Sequence, residues 1–170
     1  LNTMALRQFS VALFELFTAT ARARIVARHA SKQVAGNGVG VDFGRRRSGF
    51  VGRAIANRLA ESGVNVIVPT RRRSRAGHIL LLPTVEVVET DVHDSATLER
   101  LFTGADAVVS LVGVLHSRSG DPYGPDFARA HVELPKKIVA ACRSAGVKRL
   151  VHISALGASA DGPSEYQRSK

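Results

Sequence analysis

From Val39 onward, short Val-rich apolar runs alternate with stretches of helical character. Val39 to Phe43, Val64 to Pro69, Val85 to Glu89, Ala107 to Val112 and Arg149 to Ile153 read as strands, with helices at Phe50 to Ser62, Ser95 to Phe102 and Asp126 to Ala145. Strands apolar on both faces need cover on both, and intervening helices supply it. The pattern therefore predicts an α/β fold built on a doubly wound parallel sheet. No solenoid-type repeat and no low-complexity tract interrupts it.

Residues 4–32 follow a different rule. Leu6, Phe9, Leu13 and Phe17 recur at steps of three and four, which places them on one helical stripe, and an Arg-rich, acid-poor stretch follows. Residues 1–38 are expected to be an N-terminal extension, and residues 39–170 the folded domain. The extension reads as poorly ordered or outside the natural reading frame, the first Met being Met4. The alternative is an amphipathic helix of targeting or interfacial type. The longest apolar run, Ala105 to Leu115, is broken by Asp106 and Ser110 and falls short of the roughly 20 residues that cross a bilayer.

At 170 residues, 45% hydrophobic and 22% charged, the chain suits one soluble domain with enough apolar side chains for a core. The single cysteine, Cys142, excludes an internal disulfide and a multi-cysteine zinc centre. Six histidines are scattered without ligand spacing, so no metal site is legible. The net charge of +10 invites a nucleic-acid reading, but residues 1–47 hold eight basic side chains against Glu15 and Asp42. Most of the excess belongs to one end rather than to a folded face, which makes nucleic acid a minor hypothesis.

Three places imply chemistry. The first is Gly44-Arg45-Arg46-Arg47-Ser48-Gly49-Phe50-Val51-Gly52, between the first predicted strand and helix. Glycines there let bare backbone approach a pyrophosphate, whose charge meets the free N–H groups at a helix start. Gly49 and Gly52 keep half of such a loop, while Arg46 stands where a glycine is expected; a structural Gly-rich turn is the plain alternative. The second is Thr70-Arg71-Arg72-Arg73 at the end of the second strand. Arginine there suits a ribose 2′-phosphate where an acid would suit a hydroxyl, so the sequence leans to NADP over NAD, against a solvated basic loop. Asp91 and Val92, past the third strand, stand where an adenine contact can form, or simply make a turn.

The third place is Ser154, after the fifth strand, followed by Tyr166 and Lys170. Tyrosine and lysine four apart share a helix face, so the ammonium can assist the phenol as proton donor and hold a nicotinamide ribose. Tyr166 can then exchange a proton with a carbonyl or alcohol while Ser154 hydrogen-bonds the same oxygen. Ile153-Ser154-Ala155 does not fit a GxSxG elbow, which removes a hydrolase reading of this serine.

Taken together these residues resemble the extended and atypical short-chain dehydrogenase/reductase superfamily, of NAD-dependent epimerase/dehydratase type. Ser48 to Gly52, Thr70 to Arg73, Asp91 to Asp94, Tyr123 to Pro135 and Val151 to Gly157 are similar to bacterial homologues of the nucleotide-binding accessory subunit of mitochondrial complex I. The resemblance covers residues 39–170, the N-terminal half of a full member. It implies a Rossmann-like sheet of strand order 3-2-1-4-5, here truncated after the fifth strand, with a C-terminal substrate domain absent. It further implies a pyrophosphate lined by Gly44, Ser48, Gly49, Phe50, Val51 and Gly52, an adenosine ribose faced by Arg71 and Arg72, and adenine by Asp91 and Val92. Leu111, Val112 and Gly113 would flank the cofactor, and Ser154, Tyr166 and Lys170 match the catalytic set. His131 stands where many members have asparagine.

A helix stopping at Lys170 leaves carbonyls unpaired, so fraying is expected there, with Tyr166 and Lys170 out of catalytic geometry. The leading expectation is thus an NAD(P)-binding domain of an oxidoreductase-like protein, this chain being a catalytically incomplete fragment. The alternative is a non-enzymatic accessory or assembly subunit of respiratory complex I. The expected location is cytoplasmic, or peripheral to the inner membrane.

Overall fold

Five parallel strands organise the computed structural model of the chain, which describes residues 38–42 and 50–170. These residues lie in the unit Ala35–Lys170. The amphipathic stretch 4–32 lies outside them, as do Gly44, Ser48 and Gly49 of the glycine loop. Gly38–Asp42 (β1), Asn65–Thr70 (β2), Val85–Glu89 (β3), Ala105–Ser110 (β4) and Arg149–His152 (β5) pair in the order β3-β2-β1-β4-β5. This is the 3-2-1-4-5 order the resemblance implies.

The strand ends differ from the pattern by one or two residues, and at β4 the difference matters. Ser110 is the last residue paired on both sides, with Asp42 and His152. Leu111 and Val112 therefore leave the sheet and open the loop that follows; they read as strand because Val112 is as apolar as a strand residue and buried in the core.

Phe50–Glu61 (α1) connects β1 to β2 and turns Gly52, Ala56, Leu59 and Ala60 inward. Gly63 ends it at φ 71°, and the Val64 N–H returns to the Leu59 carbonyl at 3.0 Å, a left-handed cap that glycine adopts without Cβ strain. Ser95–Phe102 (α2) starts where the Asp94 carboxylate accepts the Thr97 N–H at 2.9 Å. A third helical stretch, 125–144 (α3), joins Pro125–Phe127, Ala128–Glu133 and Leu134–Ser144. Its middle is widened into a π turn, with the Leu134 N–H donating to the Arg129 carbonyl five residues back. Pro135 explains the widening: it brings no N–H for the His131 carbonyl, and its ring would press on that carbonyl in a regular helix.

Connections that run outward toward β3 and toward β5 with right-handed crossovers lie on opposite faces of the sheet. One core cluster packs Leu98 and Phe102 of α2 with Ala130, Leu134, Ile138, Ala141 and Cys142 of α3 over Val108 and Val112. Edge strands are less buried than central ones: Leu150 of β5 is 37% exposed, whereas Val108 and Val109 of β4 are almost inaccessible. Among the described residues β5 pairs with β4 alone.

Candidate functional site

The carboxyl ends of β1 and β4 adjoin at the point where the strand order reverses, where a doubly wound sheet opens a crevice. Helix α1 begins at Phe50, just beyond β1, with Phe50 and Val51 exposed and Gly52 buried. On the β1 side of the crevice, Arg71 and Arg72 are both exposed after β2. Thr70 shapes their turn: its hydroxyl accepts the Arg72 N–H at 3.3 Å and donates to the Arg72 carbonyl at 3.2 Å. Arg73 differs from its neighbours. Its Nη1 donates to the Val87 carbonyl at 2.8 Å and its backbone N–H to the Glu89 carboxylate at 2.9 Å, so it ties β2 to β3.

Past β3, Asp91 accepts the His93 N–H at 3.0 Å, while the Val92 side chain belongs to the core. Any contact Val92 makes with a ligand would therefore use its backbone. Lys137 of α3 donates to the His93 carbonyl at 2.7 Å and fixes this loop. Burial, then the Arg129 charge, holds the His93 imidazole below its ordinary pKa.

The Tyr166–Lys170 segment corrects one expectation. Rather than fraying, Glu165–Ser169 forms a short helix (α4) capped by Ser164, whose hydroxyl accepts the Gln167 N–H at 3.2 Å, and the Lys170 N–H closes on the Tyr166 carbonyl at 3.2 Å. Two of its side chains anchor it to the loop after β4. Glu165 accepts the Gly120 and Gly124 N–H groups at 3.2 and 2.8 Å, and Arg168 donates to the carbonyls of Pro122 and Gly162, each at 2.9 Å. Such charge-assisted bonds are stronger than neutral ones and hold this short helix against the neighbouring loops.

The Lys170 ammonium reaches back to the carbonyls of Val112 and Ile153, each at 3.3 Å, at the carboxyl ends of β4 and β5. Burial lowers its pKa from the ordinary lysine value. Gly113 lies against it, so a side chain at that position would enter the lysine's space. Leu111 is half-buried and Val112 buried. Ser154 is exposed and donates to the Lys170 carbonyl at 3.1 Å. Tyr166 is half-buried, its ring edge-on to His131 at 5.5 Å and to Phe127 at 6.0 Å. Lys170, Gly113 and Ser154 thus meet at one mouth of the crevice, and Arg71, Arg72 and Asp91 follow the neighbouring strands β2 and β3.

Sequence reasoning missed the polar contacts beneath Tyr166. His131, on the π turn, accepts the Val114 N–H through Nε2 at 3.0 Å and lies 2.8 Å through Nδ1 from the Ser169 hydroxyl. Its pKa is lowered to about 4, chiefly by burial and then by the charges of Lys170 and His152. The available signal was Pro135 inside a predicted helix, which marks where the turn widens and so which residues face inward.

A parallel sheet in this order, with a helix starting beyond β1 and open strand ends at the reversal point, defines a Rossmann-type nucleotide-binding domain. Residues 48–170 match the NAD(P)H-binding family, and the chain belongs to it. It is 32% identical over 127 residues to the mitochondrial NADH dehydrogenase (ubiquinone) 1 alpha subcomplex subunit 9 of Mus musculus, covering 72% of this chain and 33% of that one. It is also 29% identical over 115 residues to the 4-hydroxy-2-methyl-3-oxo-4-farnesyl-3,4-dihydroquinoline-1-oxide ketoreductase of Stigmatella aurantiaca, covering 68% of this chain and 33% of that one. Among solved structures, the UDP-glucuronic acid 4-epimerase of Bacillus cereus superposes with a TM-score of 0.62 at 18% identity, over 78% of this chain and 48% of that one. The chain spans about a third of the length of the curated relatives it matches. It is an NAD(P)-binding domain of Rossmann-type fold, and its ligand is a nicotinamide dinucleotide.

Proposed function

We propose that residues 39–170 hold NADPH in preference to NADH and carry the proton-transfer groups of a dehydrogenase or epimerase, with residues 1–38 an extension to that domain. The observation that carries this reading is Lys170, drawn in between the Val112 and Ile153 carbonyls beside Gly113. A half-buried ammonium at the open strand ends, with backbone kept clear by a glycine, fits the nicotinamide ribose. In this reading Ser48 to Gly52 with Gly44 line the pyrophosphate, Arg71 and Arg72 meet the 2′-phosphate, and Asp91 and Val92 border the adenine. Leu111, Val112 and Gly113 flank the nicotinamide. Bound there, the nicotinamide supplies or accepts a hydride at a substrate carbon. Tyr166 gives the proton to that substrate's carbonyl oxygen, or takes it from the alcohol, and Ser154 releases the Lys170 carbonyl to hydrogen-bond the same oxygen.

Titration of the chain with NADPH and NADH by nicotinamide fluorescence tests the cofactor half of the reading. Saturable binding with NADPH the tighter ligand is expected, and no saturation at millimolar concentrations of either would overturn it.

A second reading is favoured by the similarity to complex I subunits. Here the nucleotide is held for structure, stabilising the fold by mass action without turnover, in a protein peripheral to the inner membrane. Among the described residues no helix is long and apolar enough to cross a membrane. Co-purification with complex I subunits that survives Tyr166→Phe supports this version, whereas a reduction strictly dependent on Tyr166 supports the enzyme.

A further inference from the structure

The cofactor reading gives no task to His131 or Ser169, yet both are nearly inaccessible, at 6% and 5% exposure. Burying an imidazole and a hydroxyl is unfavourable unless each polar atom is matched, and here each is. The Val114 N–H donates to His131 Nε2 at 3.0 Å, His131 Nδ1 stands 2.8 Å from Ser169 Oγ, and Ser169 Oγ donates to the Tyr166 carbonyl at 2.9 Å. Since Nε2 accepts and the serine's one hydrogen goes to Tyr166, the imidazole proton is assigned to Nδ1 and the ring is neutral. Phe127 stacks on that ring at 5.4 Å, which fixes its plane. One unbroken series of hydrogen bonds thus joins the loop after β4, the π turn of α3 and helix α4.

We propose that His131 is a positioning residue: its neutral imidazole sets the loop after β4 against the helix bearing Tyr166 and Lys170, so that Gly113 and Lys170 keep their contact. An apolar side chain there would fill the volume without fixing the register of loop against helix. The proposal rests on the reading above that Lys170 stands at the nicotinamide end of the crevice.

The test uses the 170-residue chain and three variants. His131→Phe keeps a ring beside Phe127 and removes both hydrogen bonds, His131→Gln returns an acceptor for the Val114 N–H, and Ser169→Ala cuts the bonds of the hydroxyl to His131 and to Tyr166 while leaving the one from Val114. Each is titrated with NADPH and with 2′,5′-ADP, which carries the adenosine end alone, and amide exchange is followed over residues 111–114. A buried donor left without its acceptor gives an expected loss of about tenfold for NADPH in His131→Phe, with 2′,5′-ADP little changed and exchange at 111–114 accelerated by a similar factor. His131→Gln restores both to within about threefold of the parent, and Ser169→Ala weakens NADPH while exchange at Val114 stays slow. Equal losses for the two probes, or unchanged exchange in His131→Phe, would overturn the proposal. If His131→Phe does not fold, the same discrimination between probes is required of Ser169→Ala. If the parent chain binds neither probe, the cofactor reading falls by itself, and exchange at 111–114 in the variants decides for or against the positioning role.

Discussion

Gly113 and Lys170 stand so close that a Cβ added to the glycine would lie 3.2 Å from the lysine Nζ. The backbone at Gly113 is not left-handed, so the glycine serves to leave room rather than to make a turn. The neighbour it would meet is the end of a flexible side chain, which can yield by a few tenths of an ångström. Gly113→Ala is therefore expected to change stability by less than about 1 kcal/mol. Its effect falls on the ammonium, which shifts from the Val112 and Ile153 carbonyls. NADPH affinity is expected to drop about threefold in Gly113→Ala and about tenfold in Gly113→Val, read by fluorescence titration alongside thermal unfolding. Unaltered affinity in Gly113→Val would remove the lysine from the nicotinamide site.

The three arginines after β2 separate into two kinds. All three are exposed, but Arg73 is tied by its Nη1 to the Val87 carbonyl and by its backbone N–H to the Glu89 carboxylate. Arg73→Ala is expected to lower stability by about 1 kcal/mol, a side-chain hydrogen bond to backbone being lost, with the NADPH to NADH preference retained. Arg71→Ala with Arg72→Ala is expected to do the reverse, reducing that preference roughly tenfold or more at unchanged melting temperature. Preference that survives the double substitution would show that a 2′-phosphate is not read here.

Gly124 is buried at the start of α3, where a Cβ would collide with the Arg118 carbonyl and crowd the Ser117 hydroxyl. Backbone cannot yield as a lysine tip does. Gly124→Ala is expected to cost about 1–3 kcal/mol. For a chain of this size the melting temperature should fall by roughly 3–10 °C, measured by circular dichroism. A melting temperature within a degree of the parent would mean that the 117–124 loop rearranges freely and that Glu165 does not hold it.

The five strands follow from local features, apolar runs of strand length with helices between them, and a Tyr-Lys spacing of four marks Lys170, whereas the strand order came from the family resemblance. The anchors of α4 were not legible. Glu165 reaches Gly120 and Gly124 across more than forty residues of chain, and Arg168 reaches Pro122 over a similar span. No periodicity encodes such contacts, which is why a five-residue helix reads as a fraying end. Periodicity likewise cannot tell Arg73 from Arg71, since only the distance to β3 separates them. Pro135 was the exception, a local signal whose consequence, the inward turn of His131, depends on how the helix accommodates it.

Acid should expose the buried His131 imidazole. His131 is held down to about 4, while His93 and His152 are also lowered, burial being the first cause in each. An unfolded histidine titrates near 6.5, so between that value and the folded ones the unfolded chain binds more protons. Stability from His131 is therefore complete above pH 6.5 and is lost as the pH falls toward 4, and His93 and His152 contribute in the same direction. For His131 alone the slope is at most about 1.4 kcal/mol per unit, or up to about 3 kcal/mol across the window. Protonation would remove the acceptor of the Val114 N–H and set an imidazolium near the Lys170 ammonium, so loop and helix should part before the sheet does. Asp94, held low by its hydrogen bonds to Thr97, adds its own loss only at more acid pH, below the ordinary carboxylate range. The expected result is a melting temperature that declines from pH 6.5 to 4.5 in the parent and declines less steeply in His131→Gln, which has no proton to gain there. Identical slopes in the two proteins would mean that His131 is charged in the folded state, and that its hydrogen bond from Val114 is not what joins the loop to the rest of the site.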